Sequence, residues 1–335
     1  MKILIYFEAK NQIKKSGIGH AMQHQIKALD LVGVEYTLNP NESFDILHIN
    51  TVGPNSQRVI NKARKKGAPI IYHAHSTEED FKDSFLFSNL VAPFFKKRLI
   101  KLYSQADLIL TPTLYSKGLL ENYGLENEII AISNGIDIEQ LKYNEENIQK
   151  FKETYELNNC FVAISVGLYF ERKGILDFID IARKNPQIKF IWFGHTNNLL
   201  IPKKIRKAMR NKPKNLIFPG YITGDIIKGA FLGADVFMFP THEETEGIVV
   251  LEALAAKQQV LIYDIGVYDG WLENKKNCYK AKDKEELSNI LVQLQENSIP
   301  RTATAGYEIA KQLDINNIAK KLVKIYAQVL QEDRD

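Results

Sequence analysis

Short apolar runs alternate with stretches of helical periodicity along this chain, and the whole alternation occurs twice. The runs of the first half are KILIYF, VEYTL, FDILHIN, PIIYHA, DLILTPT and EIIAI, and those of the second half are FVAISVGL, IKFIWFG, NLIFPG, DVFMFP and QVLIYD. Helical spacing in the first half occurs around residues 18–32, 54–66, 87–104 and 116–123. Apolar strands that alternate with helices are typical of parallel sheets covered on both faces. The sequence therefore predicts an α/β protein with two Rossmann-like domains, in which ligands bind at the carboxyl ends of strands.

Length and turn signals place the predicted domain boundaries. A chain of 335 residues is long enough for two domains that each bury a core. The turn Asn134-Gly135 and a charged helical segment precede the first strand of the second series. These signals predict an N-terminal domain over residues 1–152 and a C-terminal domain over residues 153–314. Residues 315–335 are predicted to form a helix that crosses back toward the N-terminal domain.

Composition argues against several classes of protein. The two cysteines, Cys160 and Cys278, are too few for a disulfide framework, which favours a reducing, cytoplasmic environment. The N-terminus lacks the apolar core of a signal peptide, and the longest apolar stretch is shorter than the roughly 20 residues that cross a bilayer. A net charge of +4 is too small to imply nucleic acid as a partner, and we expect none.

Two glycines separate the first strand from the first long helix. Gly17 and Gly19 lie in KSGIGHAMQ, where glycine lets the backbone approach a ligand and the N–H groups at the helix start attract anions. Met22 stands where a dinucleotide fingerprint would have its third glycine, so that fingerprint is absent. The pattern indicates an anion-binding turn, and an ordinary strand-to-helix turn is the alternative.

Two cations follow the first strand of the second series. Arg172 and Lys173 precede Gly174 at the start of a helix, beside the carboxyl end of a strand. Charge-assisted hydrogen bonds from such a pair are suited to a diphosphate. The alternative is a solvated pair of surface cations.

Two histidines end an apolar strand in HAHSTEEDF. Alternation puts His73 and His75 on the same face of the strand. No cysteine or third histidine is spaced to complete a metal site, so we expect no bound metal. A histidine here can donate to a phosphate or to a substrate hydroxyl, and a satisfied core histidine is the alternative.

Four glutamates follow a later apolar strand in FPTHEETEGIVVLEALA. Glu243, Glu244 and Glu246 fall in a loop, and Glu252 falls inside the next helix. Acids at a helix N-terminus complement its dipole, which accounts for the loop acids but not for Glu252. The spacing lets Glu244 reach sugar hydroxyls while Glu252 reaches a ribose diol of the same ligand. An anion between them would meet the backbone N–H groups of Glu246, Gly247 and Ile248.

Together and in this order, these motifs resemble those of the retaining glycosyltransferases of family 4, which have the GT-B fold. The similarity runs almost from end to end and includes SGIGH, ADLILTPT, ISNGID, VG followed by KG, NLIFPG, ADVFMFP and the E-x7-E signature from Glu244 to Glu252. The resemblance implies two Rossmann-like domains that face an interdomain cleft. It also implies that the first signature acid faces the donor sugar and that the second binds the nucleotide ribose.

The chain departs from the family pattern at three places. Leu168 stands where the family usually has arginine after VG, and Arg172 is the candidate for the missing cation. The usual E-G-F-G is E-T-E-G at residues 244–247, so sugar selectivity does not transfer. Lys257 and Gln259 replace a usual pair of small and rigid residues, which affects the expected local backbone and not the fold.

The resemblance implies a UDP-sugar-dependent hexosyltransferase without a metal or a cofactor. Arg172 and Lys173 would hold the diphosphate and neutralise its charge as it leaves. The backbone at Gly17 and Gly19 would close on the diphosphate from the other domain, and His75 would lie near the donor sugar and the acceptor. Retention in this family is usually explained by a front-face route in which the donor phosphate accepts the acceptor proton. No protein nucleophile is therefore expected.

A narrower resemblance is to the diglycosyl-diacylglycerol synthases of low-GC Gram-positive bacteria. It is carried by KSGIGHAMQHQIKALDLVGVEYTLNP, FDILHINTVGP and HAHSTEEDFKDSF. It implies transfer of a hexose, galactose favoured and glucose possible, from a UDP-sugar to the 2-OH of monoglucosyl-diacylglycerol. The product would be a membrane glycolipid and an anchor for lipoteichoic acid. The alternatives are a family 4 enzyme of surface polysaccharide or teichoic acid synthesis, a non-transferring enzyme such as an epimerase or a phosphorylase, and a silent UDP-binding protein.

A lipid acceptor would require the enzyme to dock on a membrane, and basic segments are candidates for that surface. No acid occurs between Asp83 and Asp107, where aromatic residues accompany Lys96, Lys97, Arg98 and Lys101. Residues 203–214 form a second basic run without acids. Cations near an anionic surface contribute about 1 kcal/mol each. The first segment therefore predicts peripheral attachment to the inner face of the cell membrane, with a solvated basic helix as the alternative.

Overall fold

The computed structural model describes residues 1–8 and 17–332 and divides into two compact units. The chain passes from the first unit to the second after Gly135, which is earlier than the boundary at residues 152 and 153 that the sequence predicts. The first unit consists of Met1–Phe81, Asn89–Gly135 and Leu313–Asp335, and the second unit consists of Lys82–Ser88 and Ile136–Gln312.

The first unit contains one parallel sheet. Its strands are β1 (Lys2–Tyr6), β2 (Glu35–Thr37), β3 (Ile46–Ile49), β4 (Ile70–His73), β5 (Leu108–Thr111) and β6 (Glu128–Ala131). Its helices are α1 (Gly17–Leu31), α2 (Ser56–Lys65), α3 (Glu78–Phe81), α4 (Ser88–Tyr103), α5 (Leu114–Glu121) and the C-terminal helix α13 (Ile315–Glu332). The order of the six strands is β2-β1-β3-β4-β5-β6.

The second unit repeats this architecture. Its strands are β7 (Val162–Val166), β8 (Lys189–Phe193), β9 (Leu216–Gly220), β10 (Val236–Phe239), β11 (Gln259–Tyr263) and β12 (Tyr279–Ala281). Its helices are α6 (Glu145–Thr154), α7 (Ile175–Lys184), α8 (Lys203–Arg210), α9 (Asp225–Gly233), α10 (Ile248–Ala255), α11 (Lys284–Gln295) and α12 (Ala303–Gln312). The six strands are parallel in the order β12-β11-β10-β7-β8-β9.

Burial explains why the apolar pattern could identify these strands. Every residue of β3, β4, β5 and β10 is buried, as expected for strands that helices cover on both faces. The predicted α/β class with two Rossmann-like sheets is confirmed. The three-residue strand β12 was not predicted, because its central residue, Lys280, interrupts the apolar pattern.

Two glycines bring α9 against α6 in the second unit. A Cβ on Gly229 would lie 2.0 Å from the carbonyl oxygen of Asn147, and one on Gly233 would lie 2.8 Å from the side chain of Ile148. Only glycine permits this approach of the two backbones. The contact explains why α6 folds with the second unit.

The C-terminal helix α13 completes the core of the first unit. Ile318, Leu322 and Tyr326 of this helix are buried in one apolar cluster with Ile3 and Ile5 of β1. Each buried aliphatic side chain contributes about 1.5–3 kcal/mol. The end of the chain therefore returns to the first unit.

Candidate active site

The acidic loop between β10 and α10 lies at the carboxyl end of the second sheet. Glu244 and Glu246 are buried there, with 5% and 3% of their surface exposed. A buried carboxylate is stable only when an opposite charge or hydrogen bonds compensate the lost hydration. The crowding of acids in this loop therefore requires partners from elsewhere in the fold.

Arg172 and Lys173 supply that compensation for Glu244. Lys173 Nζ forms an ion pair with Glu244 Oε1, and Arg172 Nη1 lies 3.8 Å from the same oxygen. The hydroxyl of Thr241 donates to this oxygen at 2.8 Å. We call these four residues the Glu244 cluster. The cluster joins the start of α7, which follows β7, to the loop that follows β10. The strands β7 and β10 are neighbours in the sheet.

Arg172 is held in place by its surroundings. Its Nε donates to Ser84 Oγ at 2.8 Å, and its Nη1 donates to the carbonyl oxygen of Glu243 at 3.0 Å. Its backbone N–H donates to the carbonyl oxygen of Asp83 at 3.1 Å. Only 8% of Arg172 is exposed, which argues against the alternative of a solvated surface pair. No sequence signal pointed to Ser84, which reaches the second unit through the short segment Lys82–Ser88.

A close backbone approach positions Lys173. The next residue, Gly174, has a φ of 75° and caps α7. A Cβ at this position would lie 1.8 Å from the carbonyl oxygen of Pro240. Glycine is therefore required here for both its conformation and its size. The contact brings the β7–α7 turn against the loop that carries Glu244.

The remaining predicted residues of the second unit surround the start of α10. Gly247 caps the helix with a φ of 85°, and Ile248 is its first residue. Glu246 precedes this cap, and a Cβ on Gly247 would lie 3.8 Å from Glu244 Cγ, so α10 begins beside the Glu244 cluster. Glu252 lies on α10 between the fully buried residues Leu251 and Ala253, but is itself only half-buried. This position explains how an acid is accommodated in an otherwise apolar helix.

A tyrosine that the sequence did not point to lies beneath this loop. The hydroxyl of Tyr268 is fully buried and has no hydrogen-bond partner among the described residues. A Cβ on Gly247 would lie 3.4 Å from it. Burial, followed by the charge of Glu244, raises the pKa of Tyr268 well above its ordinary value. The hydroxyl therefore stays protonated below the site.

The predicted glycine turn of the first unit is described only in part. Gly17 is the first residue of α1 and is exposed, and Gly19 is buried within the first turn. The preceding Lys15 and Ser16 lie outside the described residues. The two glycines therefore stand at the N-terminus of a helix of 15 residues, the position expected for an anion-binding turn.

His73 and His75 belong to a row of three buried histidines in the first unit. Their rings stack with centroids 4.0 Å apart, and His48 stacks on His73 at 5.4 Å. His48 Nε2 lies 3.3 Å from His73 Nδ1, and His48 Nδ1 lies 2.7 Å from the hydroxyl of Tyr326. His75 Nε2 lies 3.0 Å from Asn50 Oδ1. We call His48, His73 and His75 the histidine row.

Burial keeps the histidine row neutral. It lowers the pKa of His48 and of His75 to about 3. Burial also lowers the pKa of His73 well below the ordinary value, and the proximity of His75 and His48 adds to this effect. His73 Nε2 is buried without a hydrogen-bond partner among the described residues. No group of three His, Cys, Asp or Glu side chains suited to a metal ion occurs in the described part of the chain.

The predicted membrane segment coincides with α4, where the four cations differ in their surroundings. Lys96 lies 3.4 Å from Glu78 and 4.2 Å above the ring of Tyr123. Arg98 donates to the carbonyl oxygens of Val52 and Gly53. Lys97 and Lys101 are exposed. Two of the four cations thus have partners within the first unit. Among the described helices, none is both long and apolar enough to span a bilayer.

Comparison with protein families and curated proteins gives consistent matches. Residues 146–312 match the family described as Glycosyl transferases group 1, and residues 36–140 match Glycosyltransferase Family 4. A processive diacylglycerol alpha-glucosyltransferase from Acholeplasma laidlawii is 45% identical over 336 residues, which covers 100% of both chains. An alpha-galactosylglucosyldiacylglycerol synthase from Streptococcus pneumoniae is 27% identical over 84% of this chain and 76% of its own.

Solved structures share the fold at low sequence identity. Anabaena HepE in complex with UDP-glucose superimposes with a TM-score of 0.78 at 18% identity, covering 98% of this chain and 100% of the other. Sucrose-phosphate synthase from Thermosynechococcus elongatus gives a TM-score of 0.82 at 14% identity, with 99% and 100% covered. The two-sheet architecture is therefore the one that these proteins have.

Proposed function

Because this chain belongs to glycosyltransferase family 4 and has the GT-B fold, we propose that it transfers a glucosyl group from UDP-glucose to a diacylglycerol glycolipid. The full-length relative at 45% identity is a diacylglycerol glucosyltransferase, which supports this class of acceptor. The sequence favoured galactose as the donor sugar, but the name of that relative supports glucose. We take the 2-OH of monoglucosyl-diacylglycerol as the acceptor hydroxyl, which would make the product a diglycosyl lipid and an anchor for lipoteichoic acid.

The observation that carries the proposal is the Glu244 cluster. Two cations are held beside a buried carboxylate at the carboxyl ends of β7 and β10. A nucleotide diphosphate needs cations, and a sugar needs hydrogen-bond acceptors for its hydroxyls. Arg172 and Lys173 would bind the diphosphate, Glu244 would accept from donor hydroxyls, and Glu252 would accept from the ribose diol.

These residues suggest how the chain would assist the reaction. As the bond between the sugar and the diphosphate breaks, negative charge grows on the leaving group, and the fixed cations Arg172 and Lys173 would stabilise it. In the front-face route, the leaving phosphate accepts the proton of the acceptor hydroxyl, so the protein supplies no nucleophile. Since the cations of the chain neutralise the leaving group, we propose that turnover requires no metal ion.

His75 is proposed to act on the acceptor side. Its pKa of about 3 keeps the ring neutral. The ring can therefore form hydrogen bonds with sugar hydroxyls without placing a positive charge in the site. The contact with Asn50 at 3.0 Å fixes the orientation of the ring. His75→Ala should therefore weaken use of the acceptor more than affinity for UDP.

Peripheral attachment to the inner face of the cell membrane is part of the proposal. A diacylglycerol lipid stays in the bilayer, so the enzyme must reach its headgroup there. Lys97 and Lys101 on α4 are exposed and suited to anionic lipids, whereas Lys96 and Arg98 already have partners. This segment therefore contributes about 2 kcal/mol to the free energy of binding to an anionic membrane, the amount expected for two cations rather than four.

The deciding experiment incubates the protein with monoglucosyl-diacylglycerol or diacylglycerol and with UDP-glucose or UDP-galactose, with and without EDTA. We expect an α-1,2-linked diglucosyl lipid by mass and linkage analysis, formed equally well under chelation. Conversion of a UDP-sugar without acceptor would indicate an epimerase, and tight UDP binding without turnover would indicate a silent binding protein. If neither lipid is glycosylated but a polysaccharide or teichoic acid precursor supplied in its place is, the lipid acceptor is overturned.

A further inference from the structure

Two loops of the second unit expose large apolar side chains next to one another. Leu86 and Phe87 are 40% and 66% exposed, and Leu199 and Leu200 are 81% and 49% exposed. The backbone N–H of Leu86 donates to the carbonyl oxygen of Leu200 at 3.1 Å, which joins the two loops. We call these four residues the apolar edge.

The backbone at Phe87 is unusual for its residue type. Its φ is 66°, in the left-handed region that bulky side chains rarely occupy. Such a conformation costs about 1–3 kcal/mol and persists where the surroundings or a function maintain it. Here it accompanies an aromatic ring that remains in solvent. The strain therefore does not serve the packing of this ring in the core.

A basic helix follows the apolar edge within three residues. Helix α8 has the sequence KKIRKAMR and contains no acid, and Ile205 is its one buried residue. An open depression on its surface is lined by Lys203, Arg206, Lys207, Arg210 and Asn211. Counted from Lys203, the other four positions lie three, four, seven and eight residues further on, so they share one face of the helix. We call the four cations among them the basic row.

The basic row lacks compensating charge. Within the described part of the chain, no carboxylate lies within ion-pair distance of Lys203, Arg206, Lys207 or Arg210, whereas the neighbouring Lys204 pairs with Glu171. Like charges on adjacent helical turns repel one another. An anion that enters the depression would relieve this repulsion, and lipid phosphates carry the required charge.

We propose that the apolar edge and the basic row together form a docking site for an anionic phospholipid bilayer on the second unit. The four apolar side chains would enter the boundary between headgroups and acyl chains, and the basic row would bind lipid phosphates. Apolar side chains beside a basic helical face are the features that attach proteins to the plane of a membrane. A soluble phosphate or polyanion would engage the basic row but would leave the apolar edge in water.

This site uses cations other than those of α4, which begins directly after Phe87, and it deepens the proposed function by assigning the second unit its own membrane contact. The apolar edge and the basic row lie outside the Glu244 cluster and the histidine row. Removal of the site should therefore reduce the use of acceptor in a bilayer while leaving turnover of a soluble short-chain acceptor unchanged. Failure of the docking site and failure of the glycosyltransferase proposal are thus distinguishable.

The test compares two triple variants that lose the same charge. K203Q/K207Q/R210Q alters the basic row, and K320Q/K321Q/K324Q alters exposed cations of α13. Binding is measured by cosedimentation with phosphatidylcholine vesicles that contain or lack phosphatidylglycerol. Each cation near an anionic surface is worth about five-fold in binding, so the first variant should bind the anionic vesicles about 100-fold more weakly. The α13 variant should bind like the parent protein.

Insertion of the apolar edge is tested independently with Leu199→Trp. Vesicles with brominated acyl chains should quench this tryptophan, and the double variant F87N/L199S should bind anionic vesicles at least about 10-fold more weakly at high salt, where the charge contribution is screened. If the two triple variants lost vesicle binding equally, the loss would reflect overall charge and would overturn a specific role for the basic row. Unquenched fluorescence of the Leu199→Trp variant, together with release of the protein by inorganic phosphate, would show a soluble-anion site and overturn the membrane assignment.

Discussion

At the scale of single residues, the ion pair between Lys173 and Glu244 links stability to catalysis. Lys173→Met removes the ion-pair partner of the buried carboxylate and leaves it, among the described residues, beside Arg172 and Thr241. We therefore expect a loss of about 3 kcal/mol in the free energy of unfolding. The ratio kcat/KM should fall at least ~10-fold, because a cation that stabilises the leaving group is lost. Thermal unfolding and steady-state kinetics measure the two effects.

A double variant isolates the contribution of this ion pair to stability. K173M/E244Q removes both charges, so the melting temperature should recover most of the loss that Lys173→Met causes. Turnover should stay low, because Glu244 is itself proposed to contact the donor sugar. A melting temperature that does not recover would show that the unpaired carboxylate is not what destabilises the single variant.

Ser84 offers a second test at the same scale. Its hydroxyl accepts from Arg172 Nε at 2.8 Å, and both side chains are buried. Hydrogen bonds to charged groups contribute about 1.5–3 kcal/mol. Ser84→Ala should therefore lower kcat/KM about 10-fold by releasing Arg172. The exposed Ser104→Ala is the matched control, and equal effects of the two substitutions would contradict a positioning role for Ser84.

The candidate residues could be read from the sequence, but their partners could not. Turn and helix signals indicated Arg172, Lys173 and Glu244 as candidates, yet the pair Lys173–Glu244 spans 71 residues. No local periodicity encodes such a contact, which arises because β7 and β10 are neighbours in the sheet. The same reason explains why Ser84 and Tyr268 were missed.

At the scale of elements, the approach of the β7–α7 turn to the loop after β10 depends on one glycine. Gly174→Ala would place a methyl group 1.8 Å from the carbonyl oxygen of Pro240, so the loop must move and we expect little soluble, active protein. Gly270 has a similar φ of 80° but nothing within 4 Å of its Cβ position. Gly270→Ala should cost only about 1–2 kcal/mol. Similar melting temperatures for both variants would contradict the steric argument.

The histidine row makes the stability of the first unit dependent on pH. The folded-state pKa values of its members lie below the ordinary value of about 6.5, so protons bind preferentially to the unfolded chain as the pH falls. The contribution of these neutral histidines to the free energy of unfolding is therefore complete above pH 6.5 and is lost as the pH falls toward 3. Three such groups give a slope of about 4 kcal/mol per pH unit below 6.

Melting temperatures between pH 7.5 and 5 test this dependence. His48→Gln should reduce the slope by about a third, even though it also lowers the melting temperature at neutral pH. The exposed His195→Gln serves as the control and should leave the slope unchanged. A slope that His48→Gln does not alter would show that other groups cause the acid sensitivity.

The sequence predicted helices and strands well where burial determined the pattern of apolar residues. The helical intervals around residues 18–32, 54–66, 87–104 and 116–123 correspond to α1, α2, α4 and α5. Strands buried on both faces are uniformly apolar, so their positions were also readable. The strand β12 was missed because three residues with a central lysine give no apolar run.

At the scale of the whole molecule, a pattern along the sequence cannot show which segments fold into the same unit. The sequence predicted a boundary at residues 152 and 153, whereas α6 folds with the second unit, which the chain enters after Gly135. Its contact with α9 depends on Gly229 and Gly233, which lie about 80 residues away along the chain. The short excursion of residues 82–88 into the second unit had no sequence signal.

Removal of α13 tests whether the first unit needs this C-terminal helix to fold. A chain cut after Gln312 would expose the apolar cluster around Ile3 and Ile5 that Ile318, Leu322 and Tyr326 cover. We expect this chain to lose cooperative unfolding of the first unit and to bind a hydrophobic dye, while the second unit keeps its UDP affinity. Loss of UDP binding to the same extent would indicate that the second unit also needs the helix.

The assembly of the first unit from three separated stretches also sets the order of events during synthesis. Residues 1–135 leave the ribosome first, but the helix that covers β1 emerges only after all of residues 136–312. The second unit is contiguous apart from its short excursion and can fold while translation continues. The unit that is made first is therefore completed last, and the nascent chain carries an uncovered apolar face until the final helix arrives.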